Sequence, residues 1–128
     1  MSRPCSVIIV DDNPYMGRFY SLYFARVNID PIVFTNPLIA LDHFKQYHRR
    51  YSVALLNSSL SNIDGPELAR TMRRYNPNIK ILLLQAHNIK ESSRITKFGE
   101  AVVYEVLSKP IRIDKIGSRV ISLCAENV

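Results

Sequence analysis

Short apolar runs alternate with helix-forming segments along the whole of this chain, and that alternation constrains the fold more than any other feature. The runs are Ser6–Val10, Ile32–Thr35, Val53–Leu56, Ile79–Leu84 and Val102–Leu107. Most are continuously apolar rather than alternating with polar residues. A strand covered on both faces reads this way, because neither face meets water. Between the runs lie helix signals. Asn13-Pro14 and Asn36-Pro37 each pair a capping side chain with a first-turn proline, and Gly65-Pro66 opens a third helix. Phe19, Leu22, Tyr23 and Val27 repeat at helical spacing after the first of these pairs; Ala40, Leu41, Phe44 and Tyr47 do so after the second. Leu68, Met72 and Tyr75 mark the third helix, which Asn76-Pro77-Asn78 stops. The fourth helix, about Lys90–Phe98, is weakly marked, with only Ile95 and Phe98 clearly apolar. Ile113, Ile116, Val120, Leu123 and Cys124 form a regular stripe on the fifth.

Strands and helices in strict alternation predict an α/β fold, with a five-stranded parallel sheet, right-handed crossovers and helices on both faces. The 128 residues suit one domain, residues 1–128, with no linker and no internal repeat. No apolar run approaches the roughly 20 residues of a membrane helix. The first run is too short for a signal peptide and ends in two acids, so a cytoplasmic location with no membrane contact is expected. Cys5 and Cys124 have no metal-ligand or redox-motif spacing and read as two reduced, buried thiols. The net charge of +6 admits nucleic acid or an acidic protein as partner. The basic clusters, Lys45 with Arg49-Arg50 and Arg70 with Arg73-Arg74, fall at the ends of predicted helices. Cations complement the helix dipole there, so both clusters read first as solvated faces.

In a doubly wound sheet the functional site lies at the carboxyl ends of the strands. The residues at those ends are Asp11-Asp12-Asn13, Asn57, Gln85-Ala86 and Lys109-Pro110. Adjacent carboxylates such as Asp11 and Asp12 can hold a hard divalent cation, with waters completing the octahedron. Lys109, before a proline and therefore pushed towards extended backbone, can direct its ammonium into an acidic cleft. A flavin site is excluded by the loop Asp11-Asp12-Asn13-Pro14, whose acids repel phosphate and whose proline removes an amide donor.

Taken together, Val7-Ile8-Ile9-Val10-Asp11-Asp12, Ala54-Leu55-Leu56-Asn57 with Ile63-Asp64-Gly65 downstream, and Ser108-Lys109-Pro110 make the chain resemble the response-regulator receiver family of two-component signalling. The resemblance covers essentially the whole chain. It implies a flavodoxin-like (βα)5 fold with strand order 2-1-3-4-5. It also implies magnesium at Asp11 and Asp12, a phosphoryl-stabilising role for Lys109, and an acceptor aspartate at the end of the third strand.

The departures carry as much information as the matches. Asn57 stands at the acceptor position, and an amide offers neither a charged nucleophile nor more than a weak carbonyl ligand. Gln85 stands where the family has a small hydroxyl residue that contacts the phosphoryl group. Val106 stands where the family has an aromatic switch, with Tyr104 two residues earlier as the other candidate. Ser61 replaces a proline. The family pocket, with three carboxylates and one lysine, is formally −2. Asp11, Asp12 and Lys109 leave −1, and with fewer carboxylates magnesium binding is expected to be weak and not required.

Three correlated departures, in acceptor, sensor and switch, read as a natural pseudo-receiver with no enzymatic activity. The expected pocket has Lys109 neutralised by Asp11 or Asp12, with Asn57 and Gln85 filling it by amide hydrogen bonds. The expected output is a protein-binding surface, which the resemblance places on the fourth helix, fifth strand and fifth helix, and which would also serve a homodimer. Two alternatives stand beside this. One is a receiver platform whose basic surface binds nucleic acid. The other is residual phosphorylation away from aspartate, at Ser58, Ser59, Ser61 or His87.

Overall fold

The computed structural model describes residues 3–85 and 104–126. Five parallel strands, β1 (Cys5–Val10), β2 (Ile29–Phe34), β3 (Val53–Asn57), β4 (Lys80–Gln85) and β5 (Glu105–Ser108), form one sheet in the order β2-β1-β3-β4-β5. The helices among the described residues are α1 (Pro14–Phe24), α2 (Pro37–Tyr47), α3 (Gly65–Tyr75) and a C-terminal helix (Ile113–Glu126). A 3-10 turn, His48–Arg50, follows α2. The helix expected near 90–98 and the expected start of the fifth strand at Val102 lie outside the described residues.

The pleat sorts the apolar runs between two cores, because successive side chains of a strand point to opposite faces. Ile8, Val10, Ala54, Leu56, Ile81 and Leu83 pack beneath α2 and α3, against Ala40, Phe44, Leu68 and Met72. Val7, Ile9, Val53, Leu55, Leu82 and Leu84 pack on the other face, against Tyr20, Phe24, Ile116, Val120 and Leu123. This two-sided burial is why the central runs are continuously apolar.

The caps form as their residue types dictate. The Asn13 side chain accepts from the Tyr15 amide, and that of Asn36 from the amides of Leu38 and Ile39. The Asp64 side chain accepts from the Glu67 amide and caps α3.

β2 starts three residues earlier than the sequence suggests, because it continues through Pro31, which is paired with Val7. Only an edge strand accommodates a residue that cannot donate to a ladder, and β2 is an edge.

The cysteines correct another expectation. Cys5 and Cys124 are joined by a disulfide, with Cα atoms 6.0 Å apart across a sequence separation of 119. β1 and the C-terminal helix share the second core, so the fold brings together two thiols that sequence spacing leaves unrelated. The cytoplasmic expectation gains nothing from this, since disulfides persist mainly in oxidising compartments. No helix among the described residues is long and apolar enough to cross a membrane.

Candidate functional site at the carboxyl ends of the strands

The residues that follow β1, those that end and follow β3, and those that follow β5 border a cleft of about 720 Å³, whose lining includes Asp11, Asp12, Asn57, Ser59 and Lys109. Four of the five residues expected from sequence thus converge on one cavity. Gln85, the fifth, is buried at the end of β4 and is not among the lining residues. Its side-chain oxygen has no hydrogen-bond partner among the described residues. Its backbone oxygen accepts from the Lys109 amide at 2.8 Å, which ties β4 to the lysine. The Lys109-Pro110 peptide is cis.

The lysine does not take the partner expected for it. Lys109 Nζ donates to Asn57 Oδ1 at 2.7 Å, rather than to Asp11 or Asp12. Asn57 Nδ2 donates in turn to the Ser59 carbonyl at 2.9 Å. Both ends of the amide are therefore engaged, and Asn57 is held between the strand-five lysine and its own loop. A carboxylate at this position could accept from Lys109 but could not donate to Ser59, so the second bond belongs to the amide alone.

The loop that carries this pair is shaped by Gly65. Its N–H donates to the Ser58 carbonyl at 2.8 Å. A Cβ at position 65 would collide with the Asn57 carbonyl oxygen and lie 2.8 Å from Ser58 Cα. Only glycine lets α3 start this close to the end of β3.

Asp11 is 2 % exposed. Its Oδ1 accepts from the Asn13 amide at 3.0 Å, while Oδ2 is buried without a partner. Burial pushes its carboxyl above the ordinary range, opposed by the Asn13 hydrogen bond and by the charge of Lys109, and assisted by Asp12. Tyr20 also lines the cleft, with its hydroxyl buried and without a partner among the described residues. Burial and the charge of Asp11 push that phenol well up. Asp12 is exposed.

The orphaned Asp11 Oδ2, with Asp12 in the same lining, suits a hydrated magnesium ion. Around it the donor set is thin. Asn57 Oδ1 already accepts from Lys109, and no group of three or more His, Cys, Asp or Glu side chains comes together among the described residues.

The two switch candidates separate. Val106 lies within β5 and packs on the core under α2 and α3. Tyr104 precedes β5, is 49 % exposed, and donates its hydroxyl to Glu126 at 3.3 Å. Lys80 Nζ sits 5.3 Å from its ring centroid. Tyr104 therefore stands at the amino end of β5, whereas Lys109 follows the carboxyl end.

Sequence reasoning did not anticipate that Met16, Tyr20, Ile111 and Ile116 would line the cleft. Of these only Ile116 stands on an apolar stripe in the sequence reading, and only the packing of α1 against the C-terminal helix shows all four reaching the cleft.

The charge on Asp11 has a measurable consequence. Its pKa is raised in the folded chain, so between the ordinary carboxylate value and the raised one the folded state holds a proton that the unfolded state has lost. Stability therefore falls as pH rises through that window and stays lowered at neutral pH. Asp11→Asn keeps the acceptor for the Asn13 amide and removes the buried charge. It should stabilise the chain by about 1 kcal/mol at neutral pH, with the gain vanishing below the window. Urea midpoints at a series of pH values test this. A variant less stable than the native chain at neutral pH would mean that attraction to Lys109 outweighs the cost of burial.

Comparison with known proteins agrees with this architecture. The sequence model of the response regulator receiver domain matches residues 7–121. No curated protein matches the chain. Among solved structures, a response regulator receiver domain protein from Clostridium thermocellum superposes with a TM-score of 0.85 at 11% identity, covering 96% of this chain and 96% of that one. The receiver domain of the Francisella response regulator 1452 gives 0.81 at 24% identity, covering 97% and 99%. A chain of the CheX-CheY-BeF3-Mg complex from Borrelia burgdorferi gives 0.81 at 16% identity, covering 94% and 90%.

Proposed function

The chain belongs to the response-regulator receiver family, and from that premise we propose that it is a phosphorylation-independent receiver, held in one state, that signals by binding a protein partner. The observation that carries this reading is the Lys109–Asn57 hydrogen bond at 2.7 Å. The lysine that would stabilise an incoming phosphoryl group is occupied by a neutral amide, and that amide is locked a second time by the Ser59 carbonyl. The Lys109–Asn57 pair is satisfied without a phosphoryl group, and the end of β3 offers no carboxylate to accept one. Asp11, Asp12 and Lys109 keep their family positions, in this reading as pocket structure rather than as catalytic groups. With no activated nucleophile on these residues the domain acts as a binding module rather than an enzyme.

A partner would read a fixed surface. On the described part of the face that the family uses, Glu105 on β5 pairs with Arg119 on the C-terminal helix at 2.7 Å, which braces the two elements against each other. A homodimer through the same face is compatible with this bracing. Weak magnesium binding at Asp11 and Asp12 would tune pocket charge without switching the domain.

Incubation of the native chain with acetyl phosphate and magnesium, followed by intact-mass spectrometry, tests the proposal. The expected result is an unmodified mass. A phosphoryl adduct on the native chain would restore a switchable receiver with an acceptor other than aspartate.

A further inference from the structure

The two basic clusters that lie apart in sequence fall at the same end of the sheet, opposite the acidic cleft. α2 runs into the 3-10 turn His48–Arg50, and α3 ends at Tyr75. Asn76, just past α3, donates from Nδ2 to the carbonyls of His48 at 2.9 Å and Tyr51 at 3.0 Å. The His48 and Tyr75 rings lie 6.1 Å apart. These contacts clamp the two helix ends together, which puts Arg49 and Arg50 at the same end of the sheet as Arg73 and Arg74. Neither residues 43–60 nor residues 68–80 contain an acid, while together they hold Lys45, Arg49, Arg50, Arg70, Arg73, Arg74 and Lys80. Arg50 is partly neutralised by Asp30 at 3.3 Å, and Lys80 is paired with Glu126 at 2.8 Å. Arg49 and Arg74 are exposed.

Dipole complementation accounts for one or two cations at a helix end, but not for what surrounds them. A polar recess of about 310 Å³ opens between the clamped ends, lined by Arg49, Tyr51, Ser52, Asn76 and Asn78. The last residues of the two clamped helices are exposed tyrosines, Tyr47 at 51 % and Tyr75 at 39 % exposure. Tyr47 is backed by the His43 ring at 4.9 Å. Arginines for phosphate, exposed and supported rings for bases, and amide and hydroxyl side chains for base or sugar edges form the set that binds single-stranded nucleic acid. An acidic peptide would use the arginines but gain little from the tyrosines.

We propose that this surface, formed by the ends of α2 and α3, binds single-stranded nucleic acid. It lies at the other end of the sheet from the cleft, so the proposal stands or falls independently of the receiver reading.

Fluorescence anisotropy of a short labelled oligouridine, across a range of salt concentrations, tests it. Native protein should bind, with the logarithm of the binding constant falling linearly with the logarithm of salt concentration as counterions are released. The Arg49→Glu/Arg74→Glu double variant should bind at least about tenfold more weakly. Tyr47→Ala/Tyr75→Ala should also lose about tenfold. Arg18→Glu/Arg26→Glu, an equal charge change at exposed positions on and just after α1, should leave affinity within about twofold, and circular dichroism should show all variants folded. The proposal is overturned by no binding of the native chain, by equal losses in the two charge variants, or by polyglutamate competing as well as unlabelled oligouridine.

Discussion

Asn57→Asp should take a phosphoryl group from acetyl phosphate in the presence of magnesium, where the native chain takes none. The substitution is nearly isosteric and puts an anionic oxygen where Asn57 Oδ1 now accepts from Lys109 at 2.7 Å. The lysine would remain in place as the cation beside the reacting group. Asp11 Oδ2, buried without a partner, would gain a neighbouring carboxylate and become part of a three-carboxylate set for a hard cation. Magnesium affinity should rise by about tenfold or more, since ligand charge count sets affinity at such sites. Without metal the variant should be less stable by about 1 to 2 kcal/mol, because the donor to the Ser59 carbonyl is lost and a third acid joins a largely buried pocket. Added magnesium should restore that loss by mass action on the folded state. Intact-mass spectrometry and thermal melts with and without magnesium report these effects. An adduct on the variant alone would identify Asn57 as the blocking residue. A variant that gains metal affinity and still forms no adduct would place the block at Gln85, which is buried at the end of β4 beside the site. A variant with neither change would overturn the view that the rest of the pocket survives.

Reducing the Cys5–Cys124 bond should have the largest effect on stability. The bond closes nearly the whole chain, with a sequence separation of 119. A cross-link over a loop of that size lowers the entropy of the unfolded chain by an amount equivalent to about 4 to 5 kcal/mol. Residual structure in the reduced, unfolded chain lowers the expected loss to about 3 to 4 kcal/mol, a large fraction of the stability of a domain this size. The bond also anchors the start of β1, whose Cys5 amide donates to the Asn28 carbonyl at 3.2 Å. Both cysteines are only half-buried, so a small reductant has access without global unfolding. Urea unfolding with and without reductant, and of Cys124→Ser, measures the effect. Coincident midpoints for oxidised and reduced chain would sink the entropic argument. Quantitative labelling of two thiols on the folded native chain would show that the bond does not form under those conditions.

Much of this molecule is legible in local sequence. The two-core sheet follows from runs such as Val53–Leu56, which are apolar at every position because both faces are covered. Helix starts follow from Asn13-Pro14, Asn36-Pro37 and Gly65-Pro66, since capping and first-turn signals act between near neighbours, while the Asp64 cap of α3 came from the structure. The meeting of Asp11, Asp12, Asn57 and Lys109 was expected because strand ends in a doubly wound sheet come to one edge. Which pairs form at that edge was not legible. The choice of Asn57 over Asp11 as the partner of Lys109 depends on where each side chain points after packing.

The same division holds away from the cleft. Sequence determined the elements, their order, and the family of sites they create, because periodicity, capping and turn chemistry act over a few residues. Tertiary structure alone decided the Cys5–Cys124 bond, the exposed place of Tyr104 by Glu126, and the Asn76 clamp on the His48 and Tyr51 carbonyls. Each is a contact between residues distant in the chain. Such contacts are set by how helices lie on the sheet, which no local pattern encodes.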